Sequence, residues 1–156
     1  MYSSKDIFLD KLRKYCAYQD RCQQEVIQKM HDLKIDYEWQ DEIIVSLIQE
    51  KYVDEERFSK AIVRGKFNQK NWGRNKIKNF LIQKGINEHL INIALKEINE
   101  ENYRVQLISI AKKKISESKN IESLNSKAKL ISYLLQKGYE SHLIYQILEN
   151  KEIFKH

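Results

Sequence analysis

The fold of this chain is decided by a stretch that occurs twice: FLIQKGINEHLINIAL at residues 80–95 and YLLQKGYESHLIYQIL at residues 133–148. Eight of the sixteen aligned positions are identical, and four of the others exchange one apolar residue for another. An internal repeat of this length is typical of a chain built from stacked structural units. We therefore expect a repeat protein that binds an elongated partner along an extended surface.

The composition favours helices joined by short connections. The 156 residues include no proline and only four glycines. Ile77, Phe80 and Leu81 follow the i, i+3, i+4 spacing of a helix face, and no segment alternates apolar and polar residues as a half-buried strand does. The sequence therefore predicts an all-α protein of about nine helices. These cover residues 6–17, 20–34, 37–51, 54–69, 74–84, 87–99, 101–118, 125–137 and 141–151.

Local signals mark several helix ends. Asp20, Asp54 and Asn87 are predicted N-caps, because their short polar side chains can accept a hydrogen bond from the first helical turn. Gly85 and Gly138 are predicted to end helices in the left-handed conformation.

Two further glycines also carry local predictions. Gly73 is predicted to adopt a positive φ within a polar turn. Gly65 lies inside a predicted helix, where close approach of another helix would explain it.

Grouping the helices in threes gives units of 1–51, 52–99 and 100–156. The first unit is the most diverged, since Lys34–Ile35 stands where the second unit has Gly85–Ile86. A unit of about 50 residues buries too little apolar surface to be stable alone. We expect the three units to pack in tandem into an elongated, curved superhelical array.

Several classes of protein are disfavoured. The longest apolar run falls far short of the roughly 20 residues that span a bilayer, and residues 1–6 lack the apolar core of a secretion signal. Cys16 and Cys22 have no neighbouring cluster that would complete a metal site. Phosphate-binding glycine motifs and nucleophilic triads are absent. A cytoplasmic protein that is not an enzyme and needs no cofactor or metal is expected.

Charge is distributed very unevenly along the chain. Residues 20–56 contain eleven acidic and four basic residues, whereas residues 60–84 contain eight basic residues and no acidic one. Unmixed positive charge predicts a surface for DNA or an acidic partner. The candidate binding residues are Lys60, Arg64, Lys66, Lys70, Arg74, Lys76, Lys78 and Lys84. A second basic patch consists of Lys112, Lys113 and Lys114.

Two other features have competing interpretations. Trp72 could stack on a nucleic-acid base, although packing between helices is the favoured interpretation. The acidic run 54–56 could hold a metal, but capping and interaction with the helix dipole explain it better. Arg57 is expected to form a structural ion pair.

Three further blocks of sequence are YVDEERF at 52–58, WGRNKI at 72–77 and LIQKGI at 81–86. In order and spacing they resemble the RecX family of bacterial regulatory proteins, which modulate the RecA recombinase. Lys51 stands where the family commonly has glycine, and Trp72 where it often has tyrosine. The positions taken as structural motif are Tyr52, Asp54, Arg57, Phe58, Trp72, Gly73, Gly85 and, in the third unit, Gly138.

The resemblance implies tandem three-helix repeats and a function in DNA repair, recombination and the SOS response. Such a protein is expected to lie along a RecA filament on single-stranded DNA and to inhibit its ATPase and strand exchange. The predicted partners are RecA and single- or double-stranded DNA, with no membrane. A monomer is expected, because charge covers most faces. Two alternatives stay open: an autonomous DNA-binding protein, and a helical scaffold for an acidic protein.

Overall fold

The structure is a computed structural model that describes residues 3–117 and 124–150. Within these residues it contains nine α-helices and no strand, so the predicted all-α class is confirmed. The predicted helix ends at Ser118 and Lys151 lie outside the described residues. The helices are α1 Ser4–Tyr18, α2 Gln23–Asp32, α3 Tyr37–Gln49, α4 Glu55–Lys70, α5 Arg74–Gln83, α6 Glu88–Leu95, α7 Glu100–Ser116, α8 Leu124–Gln136 and α9 Ser141–Glu149.

The chain forms two compact units. The first comprises Met1–Ala61 with Leu81–Ala94, and the second comprises Ile62–Phe80 with Leu95–His156. Helices α4, α5 and α6 each contribute residues to both units. The boundaries 1–51, 52–99 and 100–156 stay a prediction about the repeats. None of the described helices combines the length and the apolar character needed to span a membrane.

Each unit has its own buried apolar residues. In the first unit Leu12, Val26 and Met30 are fully buried, because α1 and α2 turn their apolar stripes towards each other. In the second unit Tyr103 and Tyr139 are buried aromatic residues with ring centroids 5.2 Å apart. Phe58 and Phe67 are also buried.

The second helix of every repeat ends in the same way. One residue adopts the left-handed conformation, and it is Lys34 (φ 56°), Gly85 (φ 78°) or Gly138 (φ 99°). The amide of the following residue donates a hydrogen bond of 3.1 Å to a carbonyl five residues earlier. This closes the helix end as a Schellman-type cap. The predicted glycine caps are confirmed, and so is the correspondence of Lys34–Ile35 with Gly85–Ile86.

Two of the three predicted N-caps are confirmed. The carboxylate of Asp54 accepts a hydrogen bond of 3.0 Å from the amide of Arg57 at the start of α4. The side chain of Asn87 accepts one of 2.9 Å from the amide of Leu90 in α6. In both places the side chain satisfies an amide that has no partner within the helix.

The predicted N-cap at Asp20 is wrong. Helix α2 begins at Gln23, and the Glu25 carboxylate accepts a hydrogen bond of 3.2 Å from the amide of Cys22. Asp20 instead accepts a hydrogen bond of 2.6 Å from the guanidinium of Arg57. A distant cation therefore outcompetes the local amides for this carboxylate.

Two predictions about glycine are also wrong. Gly73 does not have a positive φ, and in its turn the left-handed residue is Asn71, with φ 59°. Gly65 does not accommodate a neighbouring helix, since a Cβ built there meets no described atom within 4 Å.

Replacing Gly65 with alanine is therefore expected to raise the free energy of unfolding by about 0.5–1 kcal/mol, because alanine has the higher helix propensity and open space around it. Urea denaturation followed by circular dichroism measures the change. Gly85→Ala is the matched control and is expected to lose about 1 kcal/mol, because its φ is left-handed. A Gly65→Ala protein no more stable than the parent would contradict the expectation.

Candidate partner-binding surface

Arg57 holds the turn between α3 and α4 together. Besides its ion pair with Asp20, it donates to the carbonyls of Lys51 at 3.1 Å and Tyr52 at 3.3 Å. The expected structural role of Arg57 is thereby confirmed. Lys51 has a φ of 64°, a conformation that glycine adopts without steric cost.

Among the described residues no cluster of His, Cys, Asp and Glu could hold a metal.

In the second unit, the turn before α5 packs directly on the turn before α9. The amide of Gly73 donates to the carbonyl of Lys137 at 2.7 Å, and the amide of Asn75 donates to the carbonyl of Gly138 at 2.9 Å. A Cβ on Gly73 would lie 2.4 Å from the carbonyl carbon of Gly138, and a Cβ on Gly138 would lie 2.4 Å from the Cβ of Lys76. Both positions therefore need glycine. We call this contact the glycine joint (residues 71–76 against 137–140).

Arg74 is bound inside the joint. Its guanidinium pairs with Glu140 at 2.7 Å and also contacts Glu100. The guanidinium lies over the ring of Tyr103, at 3.9 Å from the ring centroid. The amide of Arg74 donates to the Tyr103 hydroxyl at 3.0 Å, and that hydroxyl donates to Glu140. Burial and the hydrogen bond to Glu140 raise the pKa of Tyr103, so its hydroxyl keeps its proton at neutral pH.

Tyr139 fixes the turn from the other side. Its hydroxyl donates to the carbonyl of Asn71 at 3.0 Å and accepts from the side-chain amide of Gln106 at 2.9 Å. Burial raises the pKa of Tyr139 to about 12. The third repeat thus sets the conformation of the Asn71–Arg74 turn through side chains as well as backbone.

Three of the eight predicted binding cations are engaged with carboxylates. Arg74 belongs to the glycine joint, Lys60 lies 3.7 Å from Glu56, and Lys84 lies 3.2 Å from Glu25. Lys60 and Lys84 belong to the first unit. The other five cations form no ion pair with a carboxylate of the described residues, and all belong to the second unit. They are Arg64, Lys66, Lys70, Lys76 and Lys78.

Two of these cations lie against the ring of Trp72. The ammonium groups of Lys66 and Lys76 lie 4.7 Å and 4.5 Å from the centroid of its ring. Phe80 packs edge-on against Trp72, and Lys66 also lies over the Phe80 ring. Cation–π attraction offsets part of the repulsion between the two ammonium groups. Trp72 is half-buried, in accordance with the favoured packing interpretation. We call these four residues the Trp72 cluster.

Helix geometry separates the remaining cations. Lys66 and Lys70 are one helical turn apart and share a face of α4. Arg64 is two residues from Lys66, which at about 100° per residue places it on another face of the helix. The same spacing separates Lys78 from Lys76 on α5. The structure thus brings Lys66, Lys70 and Lys76 to the Asn71–Arg74 turn, with Arg64 and Lys78 on nearly opposite faces of their helices.

The second predicted patch adjoins the same turn. Lys113 and Lys114 line a depression with Asn71, Tyr133 and Lys137, while Lys112 does not line it. We call it the lysine cleft; Ile110 and Glu117 complete its lining. Lys137 and Tyr133 were not among the residues predicted from the sequence, although Lys137 aligns with Lys84 in the internal repeat.

Positive charge is concentrated in the second unit. Its sequence contains seventeen basic and eight acidic residues, whereas that of the first unit contains eleven basic and fourteen acidic residues. The two formal charges are therefore +9 and −3. A field of one sign attracts polyanions from a distance and falls off as salt is added.

Models of known families match two segments of the chain. Residues 54–95 match the second three-helix domain of RecX, and residues 102–148 match the third three-helix domain of RecX. Together the two matches cover more than half of the chain.

Curated relatives agree with these matches. Regulatory protein RecX from Clostridium acetobutylicum is 31% identical over 138 residues, which cover 86% of this chain and 63% of the relative. The protein of the same name from Finegoldia magna is 30% identical, over 85% of this chain and 66% of the relative. The protein of the same name from Oceanobacillus iheyensis is 28% identical, over 88% of this chain and 51% of the relative. The chain thus spans about half to two thirds of the length of these relatives.

Solved structures share the fold. RecX from Lactobacillus salivarius superposes with a TM-score of 0.82 at 25% identity, over 93% of this chain and 94% of that one. A second structure, of a regulatory protein RecX, gives a TM-score of 0.84 at 23% identity, over 94% of this chain and 71% of the other. Taken with the two matched domains and the curated relatives, this likeness shows that the chain belongs to the RecX family.

Proposed function

We propose that this protein is a regulator that binds the RecA recombinase filament on single-stranded DNA and inhibits its ATPase and strand exchange. The observation that carries the proposal is the grouping of Lys66, Lys70 and Lys76 around the Asn71–Arg74 turn, without carboxylate partners among the described residues. The relatives are named regulatory proteins. In this proposal the protein acts in the cytoplasm as a monomer, without a cofactor or catalysis of its own, in DNA repair, recombination and the SOS response.

The physical argument is electrostatic and steric. A filament on DNA presents regularly spaced phosphates, and each phosphate neutralised by a lysine releases counterions. Lysines that already contact a ring, as Lys66 and Lys76 contact Trp72, lose less conformational freedom on binding than lysines on a mobile loop. A helical repeat that contacts several RecA subunits at once would oppose the subunit movements that accompany ATP hydrolysis. Arg74 supports the site through its ion pairs with Glu100 and Glu140.

A second candidate function is DNA binding without RecA. The formal charge of +9 on the second unit favours it, because charge of this size alone supports non-specific binding to DNA. Comparing the affinity for a bare oligonucleotide with that for the RecA filament on the same oligonucleotide separates the two functions.

Reversing three charges tests the proposal. The triple variant Lys66→Glu, Lys70→Glu and Lys76→Glu is expected to raise the concentration for half-inhibition of the DNA-dependent RecA ATPase by about 30-fold or more. Each reversal replaces attraction by repulsion, and a loss of 1.4 kcal/mol is tenfold in affinity. The matched control reverses the exposed Lys14, Lys127 and Lys129, which changes the net charge equally and should leave inhibition within about threefold.

Tryptophan fluorescence supplies a binding measurement for the same variants. The chain has two tryptophans, so Trp39→Phe leaves Trp72 as the single emitter, directly between Lys66 and Lys76. Adding filament should change its emission. If saturating protein leaves the ATPase unchanged, regulation of RecA is rejected. Equal inhibition by the triple variant and its control would reject the site.

A further inference from the structure

We propose that the lysine cleft is a binding site for a phosphate group of the single-stranded DNA backbone. The inference deepens the proposed function, because it names a second contact for the DNA on which the filament forms. The ligand would be held by the ammonium groups of Lys113, Lys114 and Lys137, with the side-chain amide of Asn71 as an uncharged donor.

Three segments of the second unit converge on the cleft. Helix α7 provides Lys113 and Lys114, the end of α8 provides Tyr133 and Lys137, and the glycine joint provides Asn71. The carbonyl of Asn71 is occupied by the Tyr139 hydroxyl, while its side chain is exposed at the cleft. The donors therefore come from elements whose positions are set by buried contacts nearby.

Two of the three lysines make contacts at the cleft that restrict their side chains. Lys114 lies over the ring of Tyr133, at 4.6 Å from the ring centroid, and Lys137 lies 6.0 Å from the same centroid. Lys137 also donates to the carbonyl of Lys70 at 3.4 Å, at the C-terminal end of α4, where the helix dipole favours a cation. Lys113 is exposed and directs no side-chain bond to a described residue.

The described residues that line the cleft carry more positive than negative charge. Three ammonium groups face one carboxylate among the described lining residues, that of Glu117, which is exposed and lies 3.7 Å from Lys114. A phosphate group would supply the missing negative charge through charge-assisted hydrogen bonds. Glu117 competes for the same lysines, so its charge should weaken phosphate binding.

The neighbourhood favours a strand over a small anion. Asn71 at the cleft adjoins Lys70 on one side and Trp72 on the other, so the lysine cleft and the Trp72 cluster flank one turn. Consecutive phosphates of one extended strand could therefore contact both groups of lysines, which a single inorganic anion could not.

The experiment measures binding of the full chain to a fluorescein-labelled thymidine oligonucleotide over a series of salt concentrations. Lys113→Ala and Lys137→Ala are each expected to weaken binding about threefold to tenfold. Each should also reduce the slope of log affinity against log salt by about 0.7, the value for one single-strand phosphate contact. Glu117→Gln is expected to tighten binding about twofold to threefold. Lys127→Ala and Lys129→Ala, exposed on α8 outside the cleft, are the matched controls and should bind as the parent does.

The opposite signs expected for the lysines and for Glu117 exclude a merely structural effect. Lys113→Ala removes no internal side-chain bond, so it reports on the ligand even if Lys137→Ala perturbs the fold. Cleft variants that bind like the controls, no tightening with Glu117→Gln, or no binding by the parent protein at low salt would overturn the proposal. Inorganic triphosphate that competes as well as the oligonucleotide, at equal phosphate concentration, would assign the cleft to a small anion instead.

The outcomes separate the cleft from the proposed function. If Lys113→Ala weakens DNA binding while the parent protein does not affect the RecA ATPase, the phosphate site in the cleft is supported and regulation of RecA is rejected. If the ATPase is inhibited but substitution of Lys113 and Glu117 does not change DNA binding, regulation of RecA is supported and the phosphate site is rejected.

Discussion

Gly138→Ala is expected to lower the free energy of unfolding by about 3 kcal/mol, one of the two largest effects of any single substitution considered. Its φ of 99° lies in a region that costs a residue with a Cβ about 1–2 kcal/mol. The new methyl group would also lie 2.4 Å from the Cβ and 2.6 Å from the amide nitrogen of Lys76. These atoms belong to the first turn of α5, so relief requires a shift of backbone, which costs about 1–3 kcal/mol more.

Gly85→Ala isolates the steric part of that loss. Gly85 occupies the equivalent place in the second repeat with a φ of 78°, but the nearest atom to its added Cβ is the side-chain nitrogen of Gln24, at 4.0 Å. It should therefore lose only the conformational cost, about 1 kcal/mol. Urea unfolding of both variants under one set of conditions gives the difference. Equal losses would mean that the glycine joint does not depend on close approach.

The repeats and the helix ends could be predicted because their signals are local. Lys34 has the same left-handed conformation as Gly85 and Gly138. Alignment of the repeats predicted this helix end although the first repeat has no glycine there. Asp54 and Asn87 cap helices through amides three residues away. Asp20 failed as a cap because its partner, Arg57, lies beyond the next two helices.

The glycine joint could not be predicted, because its two halves lie in different repeats. Gly73 sits in a polar turn, where a positive φ is the usual reason for glycine. Its actual reason is contact with Gly138, and the strained residue of the turn is Asn71. The spacing of residues within either motif does not indicate that Gly73 and Gly138 are in contact.

The unmixed positive charge of residues 60–84 is visible in the sequence. A count of charges does not show which of these cations pair with carboxylates of the same protein. Arg74 and Lys76 are equivalent in a charge count. In the structure Arg74 is held by Glu100 and Glu140 from the third repeat, while Lys76 lies over the ring of Trp72. The contribution of Lys137 to the lysine cleft was hidden for the same reason, since its neighbours Asn71 and Lys113 come from other elements.

Arg74→Ala is expected to lower the free energy of unfolding by about 2–3 kcal/mol. The side chains of Arg74 and Glu140 are each only 19% exposed, so removing the guanidinium leaves a carboxylate with little access to water. The ring of Tyr103 also loses the cation that covers it. Arg64→Ala is the matched control on α4, and it should change stability by less than about 0.5 kcal/mol, because Arg64 is exposed without a described carboxylate partner.

A double-mutant cycle decides whether the loss comes from the ion pair. Glu140→Gln in the Arg74→Ala background should cost less than Glu140→Gln alone, with a coupling energy of about 1–3 kcal/mol. Arg74→Lys should recover only part of the stability, because a single ammonium group cannot reach Glu100 and Glu140 in the two directions that the planar guanidinium does. Additive effects within about 0.3 kcal/mol would mean that Arg74 stabilises the joint by packing alone. Full rescue by lysine would instead show that a positive charge suffices at this position without the geometry of the guanidinium.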